Sequence, residues 1–228
     1  MTVNGKLLSE FNGAAMLDYV IGGTPITNVI FQGMNRTQWE PLLSRFGMRE
    51  ISVTICFSGR SLREAKLGRS LFCQEVHEIC ELYIPDDGFY YRCSCKDFGS
   101  EELVGIGDFS AQVKSTFQFD GIRHDPLETV TASDGVIYCR STMPYTSARL
   151  TATVEENAES FQLGAATFPN VVAGDVCVFD GIDGKILKNG TNVSGAITWG
   201  GSFPALVPGM NEITCPAPVT VEYYPSYI

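Results

Sequence analysis

Four stretches of the chain alternate between apolar and polar residues. From Glu50 to Phe57, Ile51, Val53, Ile55 and Phe57 fall on one side, with Glu50, Ser52 and Thr54 on the other. Phe109 to Phe119 repeats the scheme, setting Phe109, Ala111, Val113, Phe117 and Phe119 against Ser110, Gln112, Lys114, Thr116 and Gln118. Leu150, Ala152 and Val154 do the same within Arg149–Glu155, as do Val219, Val221 and Tyr223 near the end. A period of two puts one face in a core and the other in water, which predicts antiparallel sheets. From Gly174 onward the strands shorten, and turn pairs recur at Asp183-Gly184, Asn189-Gly190, Gly200-Gly201 and Pro208-Gly209. Such pairs supply the positive or fixed φ that tight turns need, so this half is expected to be an all-β sandwich.

One segment departs from that pattern. Ser61-Leu62-Arg63-Glu64 reads as a capping box, in which the Ser hydroxyl and the Glu carboxylate satisfy free amides at a helix start. Beyond it Ala65, Phe72, Val76, Ile79 and Tyr83 form one apolar stripe, interrupted by Gly68 at a cost of about 1 kcal/mol relative to Ala. Pro85-Asp86-Asp87-Gly88 then stops the segment. The spacing predicts a helix of about twenty residues packed across a sheet that resumes with Phe89–Cys95. The stretch Gly121-Ile122-Arg123-His124-Asp125-Pro126 separates long elements from short, Gly-rich ones. It divides the chain into an N-terminal domain, 1–125, and a C-terminal domain, 126–228, each long enough to bury a core.

Charge and cysteines narrow the function classes. Of 228 residues, 16 are Lys or Arg and 26 are Asp or Glu, a net charge of -10. Neither half carries a basic stripe, which disfavours specific nucleic-acid binding and is compatible with DNA passing by without sticking. The eight cysteines include no C-x-x-C, and His77 and His124 are not at ligand spacing, so no zinc site and no cofactor are expected. The thiols read as small apolar side chains. The start, Met1 to Lys6, lacks an apolar signal region and no apolar run approaches the ~20 residues of a membrane span. The expectation is therefore a chain made in the cytoplasm, with Asn35-Arg36-Thr37, Asn189-Gly190-Thr191 and Asn192-Val193-Ser194 serving as turns and not as glycosylation sites.

No segment assembles catalytic chemistry. Gly105-Ile106-Gly107 lacks the third glycine and following helix of a dinucleotide fingerprint and reads as a turn. Asp180-Gly181-Ile182-Asp183-Gly184 lacks the further oxygens of a calcium loop and reads as a hairpin. His77 sits on the predicted helix between Glu75 and Glu78, without a nucleophile, and Asp86-Asp87 fills a turn. An enzyme is not expected. Trp199, in Ile197-Thr198-Trp199-Gly200-Gly201, is either a stacking platform for a sugar ring or a core residue. The stretch Thr27–Glu50 holds Val29, Ile30, Phe31, Met34, Trp39, Leu42, Leu43 and Phe46, more apolar surface than a solvated arm exposes comfortably. It lies either against another subunit or back on its own sandwich.

Several motifs, in order, resemble the distal tail protein family of long-tailed bacteriophages and prophages. In the first half they are Phe11-Asn12-Gly13, Arg45-Phe46-Gly47-Met48-Arg49-Glu50, Ser58-Gly59-Arg60-Ser61-Leu62-Arg63-Glu64-Ala65, Tyr90-Tyr91-Arg92, Gly105-Ile106-Gly107-Asp108-Phe109 and Asp125-Pro126. In the second half they are Gly174-Asp175-Val176, Lys188-Asn189-Gly190, the run from Phe203 to Ile213, and Val219-Thr220-Val221-Glu222-Tyr223. The resemblance implies a mainly β chain. Its N-terminal β-sandwich would carry one α-helix and a protruding hairpin arm, as in tail-tube folds, and a galectin-like β-sandwich would follow. It implies a structural baseplate hub: a homohexameric ring at the virion tail tip around the DNA ejection channel, assembled in the host cytoplasm. Its partners would be the tail tube protein and the tail-associated lysin, fibre or receptor-binding proteins, with DNA only in transit and no membrane insertion. Phe31, Met34, Trp39, Leu42, Leu43 and Phe46 become the candidate inter-subunit arm. Trp39-Glu40-Pro41-Leu42-Leu43 is bulkier than the polar, Gly-rich text that the family leads one to expect there. The alternatives are a carbohydrate-binding adhesion module that uses Trp199, and another tail-tube or baseplate subunit.

Overall fold

The computed structural model describes residues 1–32, 39–107 and 110–228. The chain forms two compact units, Met1–His124 and Asp125–Tyr227.

In the first unit the strands are β1 (Thr2–Val3), β2 (Lys6–Leu7), β3 (Ala15–Ile21), β4 (Ile26–Gln32), β5 (Trp39–Phe46) and β6 (Arg49–Gly59). Helix α1 (Leu62–Val76) follows, then β7 (Ile79–Ile84), β8 (Phe89–Asp97), β9 (Glu102–Gly107) and β10 (Ser110–His124). The sheet runs β2-β1-β7-β8-β10-β6-β3, with β9 also paired to β10. At its centre β10 and β6 are antiparallel in a register that places Phe117 opposite Val53 and Phe119 opposite Ile51. The alternation therefore converges: Ile51, Val53, Ile55, Phe57, Phe117 and Phe119 are fully buried on one face. On the other face Thr54 meets Thr116 at 3.0 Å, and Gln118 Nε2 donates to Ser52 Oγ at 3.2 Å. The apolar face is covered by α1, whose Phe72 ring lies 4.7 Å from Phe117 and 5.5 Å, edge-on, from Phe11. Phe109 lies outside the described residues.

Three local expectations are corrected. The helix ends at Val76, with His77 as its C-cap, and Ile79–Ile84 is a strand. Cys80, Leu82 and Ile84 also alternate with half-exposed or exposed neighbours, and pairing with β8 favours that period over the helical one. Pro85–Gly88 is thus the β7–β8 turn, with Gly88 at φ +78° and its N–H donating to Ile84 O. The capping box is half made: Ser61 Oγ accepts from Glu64 N at 3.3 Å, but the Glu64 carboxylate accepts from Arg60 N at 2.8 Å, not from Ser61. Gly105-Ile106-Gly107 is strand, not turn, with Gly105 opposite Gln112 and Gly107 opposite Ser110.

The second unit is wholly β among its described residues. Its strands are β11 (Glu128–Ala132), β12 (Val136–Cys139), β13 (Thr146–Thr153), β14 (Ala158–Leu163), β15 (Ala166–Val171) and β16 (Val176–Asp180). They continue with β17 (Lys185–Lys188), β18 (Thr191–Asn192), β19 (Thr198–Trp199), β20 (Ala205–Leu206), β21 (Gly209–Glu212) and β22 (Val219–Tyr223). The larger sheet runs β11-β22-β13-β16-β17-β18; β14-β15-β19 and β12-β21 form smaller ones. Leu150, Ala152, Phe161, Phe168, Phe179, Val219 and Val221 make one apolar core between them. Two of the predicted turns, Asp183-Gly184 and Asn189-Gly190, close hairpins; Gly200-Gly201 and Pro208-Gly209 connect strands that do not pair with each other. Asn189 (φ +51°) and Gly190 (φ +77°) join β17 to β18, and Asp180 Oδ1 accepts from Ile182 N and Asp183 N in the β16–β17 turn.

Candidate assembly surfaces

The arm segment forms a hairpin of its own. β4 and β5 pair with each other from Ile26 opposite Phe46 to Gln32 opposite Trp39, as a two-stranded sheet. At its root Gly47 N donates to Pro25 O at 2.7 Å, and a Cβ on Gly47 would sit 2.7 Å from Pro25 Cγ, so only glycine fits that approach. Ile26 is exposed and Phe46 half-buried. Of the other proposed arm residues, Met34 lies outside the described residues, as do the side chains of Phe31, Trp39, Leu42 and Leu43. A cleft of about 570 Å³ at the root is lined by Gly22, Pro25, Met48, Glu50, Lys96 and Asp120. Its cation, Lys96, lies 3.1 Å from Asp120 and 3.5 Å from Glu50, an arrangement that neutralises charge and presents no nucleophile.

Two further surfaces emerge that the sequence reading did not single out. Among the described residues, β3 pairs only with β6 and β9 only with β10, so each leaves one edge of backbone N–H and C=O groups open. Every residue of β9 is exposed, including Leu103 (53%), Val104 (52%) and Ile106 (64%). On β3, Leu17 and Val20 are likewise exposed. An apolar open edge is a template for another strand, and folded proteins normally guard it with Lys, Pro or a bulge. β9 has no Lys or Pro; its one guard is a bulge at Val104, which is skipped where Gln112 pairs with Gly105 and Val113 with Leu103. The signal was present as the apolar run Leu103-Val104-Gly105-Ile106, but its non-alternating pattern gives no face to assign.

In the second unit Trp199 is half-buried against the core. Its ring lies 4.8 Å from Phe203 and 6.2 Å, edge-on, from Phe179. The more exposed rings are Tyr138 (63%) and Tyr145 (75%). Polar groups in this unit serve structure. Arg149 reaches Asp180 at 2.7 Å, Asp183 at 3.2 Å and Glu222 at 3.3 Å. Asp175 accepts hydrogen bonds from Val172 N, Asn189 Nδ2 and the Lys188 ammonium, which together hold its pKa down to about 2.

The thiols are free, and burial raises those of Cys80 to about 12, and of Cys95 and Cys177 to about 11. Cys80 faces Cys93 across β7–β8, both fully buried. Raised thiol pKa values make for poor nucleophiles. No group of three or more metal-ligating side chains gathers among the described residues. No helix there is long and apolar enough to cross a membrane.

Comparison with known proteins gives these surfaces a context. Residues 139–227 match the family described as siphovirus-type tail component, C-terminal domain. No curated protein matches the chain. Among solved structures, the fold is similar to that of the Dit protein of phage SPP1, described as a paradigm of the hub adsorption apparatus in phages infecting Gram-positive bacteria. The TM-score is 0.69 at 13% identity, covering 99% of this chain and 98% of that one. It is also similar to a chain of the phage P2 baseplate in its activated conformation with Ca, at TM-score 0.55 and 11% identity, covering 92% and 90%. The strontium form of that baseplate gives 0.54 with the same identity and coverage. The mainly β architecture with one helix, and a C-terminal sandwich consistent with the galectin-like type, agree with the expected fold class. The chain thus carries a siphovirus-type tail-component domain over residues 139–227 and shares its fold over nearly all its length with a phage Dit protein.

Proposed function

We propose that this chain is a structural, non-enzymatic hub of a phage tail tip. Six copies close a ring through their N-terminal units; the ring joins the tail tube to the tip apparatus and encloses the channel that DNA crosses. The observation that carries this reading is the whole-length likeness to a hub protein, with 99% of this chain covered. The number six comes with the family.

Physical features of the N-terminal unit support ring closure. The open edges of β3 and β9 differ in sequence, so a join between them is head-to-tail, the geometry that generates rings when the rotation closes. The hairpin β4–β5 pairs with no third described strand, which leaves it available to a neighbour. A net charge of -10 keeps the duplex from sticking as it passes. The C-terminal unit faces the tail-associated hub, fibre or receptor-binding proteins. Virions are the site of action and the host cytoplasm the site of synthesis and assembly. Immunogold labelling of intact particles tests the location: gold confined to the distal end of the tail supports the reading, and gold distributed along the shaft makes the protein a tube subunit instead.

A further inference from the structure

Resting on the reading of β9 as an assembly edge, we infer that Arg69 is the positioning residue that sets this edge from helix α1. The loop 98–101 leads from β8 into β9, and the Arg69 guanidinium is planted in it. Arg69 Nη2 donates to Phe98 O at 3.0 Å and to Gly99 O at 2.7 Å, while Nε donates to Ser115 Oγ on β10 at 2.8 Å. Nη1 lies 3.5 Å from Glu101 Oε1, and the second oxygen of Glu101 pairs with Lys66 at 2.7 Å. One side chain, only 15% exposed, therefore ties the helix, the strand beneath it and the loop that launches β9.

The fork geometry of a guanidinium is what permits this, because it presents several donors in fixed directions while an ammonium is a point charge. Hydrogen bonds from a charged donor are the stronger kind, and here they end on two consecutive backbone carbonyls. The loop has been shaped to meet them. Gly99 holds φ +64°, and a Cβ there would fall 2.2 Å from Thr116 O, so the loop lies directly on β10. Asp97 Oδ1 accepts from Gly99 N at 2.9 Å and fixes the turn from its near side. By contrast β9 itself buries none of its six residues, so apolar packing does not hold it in place. The backbone ladder to β10 and the clamp at its base do.

Hydrogen–deuterium exchange on the full chain tests this independently of assembly. In Arg69→Met, which keeps the apolar stem, exchange across residues 98–107 rises about tenfold relative to the parent, while β6 and the second unit are unchanged. Arg69→Lys falls between the two, and Glu101→Gln, which spares the carbonyl contacts, raises exchange less than Arg69→Met. Should Arg69→Met not fold, the Lys and Gln variants carry the same ordering. Unchanged exchange at 98–107 in folded Arg69→Met or Arg69→Lys overturns the clamp. Raised exchange in a chain whose parent never oligomerises upholds the clamp and removes the ring reading. Raised exchange together with reduced assembly supports both.

Discussion

Gly68 sets two physical effects against each other, and the structure decides between them. In an exposed helix interior, Gly→Ala stabilises by about 1 kcal/mol because alanine loses less backbone entropy on folding. Gly68 is buried on the inner face of α1, however, and a Cβ there would lie 2.9 Å from Phe11 O and 3.0 Å from Asn12 Cβ. Normal carbon–oxygen contacts are a few tenths of an ångström longer, so the Phe11–Asn12 backbone must retreat. Phe11 packs edge-on to Phe72, the ring that seats the helix on Phe117 and Phe57, so the retreat disturbs the centre of the unit. Forcing an extra methyl into a packed core costs about 1–3 kcal/mol. The propensity gain offsets part of that, and Gly68→Ala is expected to be destabilised by about 1 kcal/mol. Ser70→Ala, an exposed site on the same helix, is the control and gains a few tenths of a kcal/mol. Urea unfolding followed by the helical far-UV CD signal measures both. A Gly68→Ala chain more stable than the parent would refute the close-packing argument.

Three further outcomes follow from the same structure. Trp199→Ala removes a half-buried ring from Phe179 and Phe203 and is expected to cost about 2 kcal/mol in urea unfolding of the second unit; a neutral change would free Trp199 for surface contacts. Asp175, lowered from 3.8 to about 2, contributes stability that is fully present above pH ~4 and lost as pH falls toward 2. Acid titration of Asp175→Asn should therefore show a shallower loss through that window, and an unaltered slope would mean that its hydrogen bonds carry no net weight. Ile106→Lys puts a charge on the open edge of β9 and should abolish oligomers in sedimentation velocity while leaving the unfolding midpoint within about 0.5 kcal/mol of the parent.

Strand periodicity made most of the fold legible. The Ile51–Phe57 and Val113–Phe119 patterns lie side by side on one face because β6 and β10 pair in a register that aligns them. Asn189-Gly190 announced its hairpin because both residues must take positive φ there. The helix end was misplaced for a definite reason. Ile79 and Tyr83 continue the helical stripe, yet the run Ile79–Ile84 equally satisfies a period of two, and the choice is made by β8, some residues further on. The assembly surfaces were less legible. The arm stood out by its apolar content, but the edge of β9 is defined by which strands fail to pair with it, and the Arg69 clamp by carbonyls about thirty residues away. Both are tertiary properties that no local pattern encodes.

The mass of the assembled species tests the central claim most directly. Light scattering on the size-separated chain, with negative-stain averages of the same fraction, is expected to give about 149 kDa for six 24.9-kDa chains and a six-fold ring with an open centre. A 24.9-kDa species at every concentration, with or without its tube partner, would contradict it.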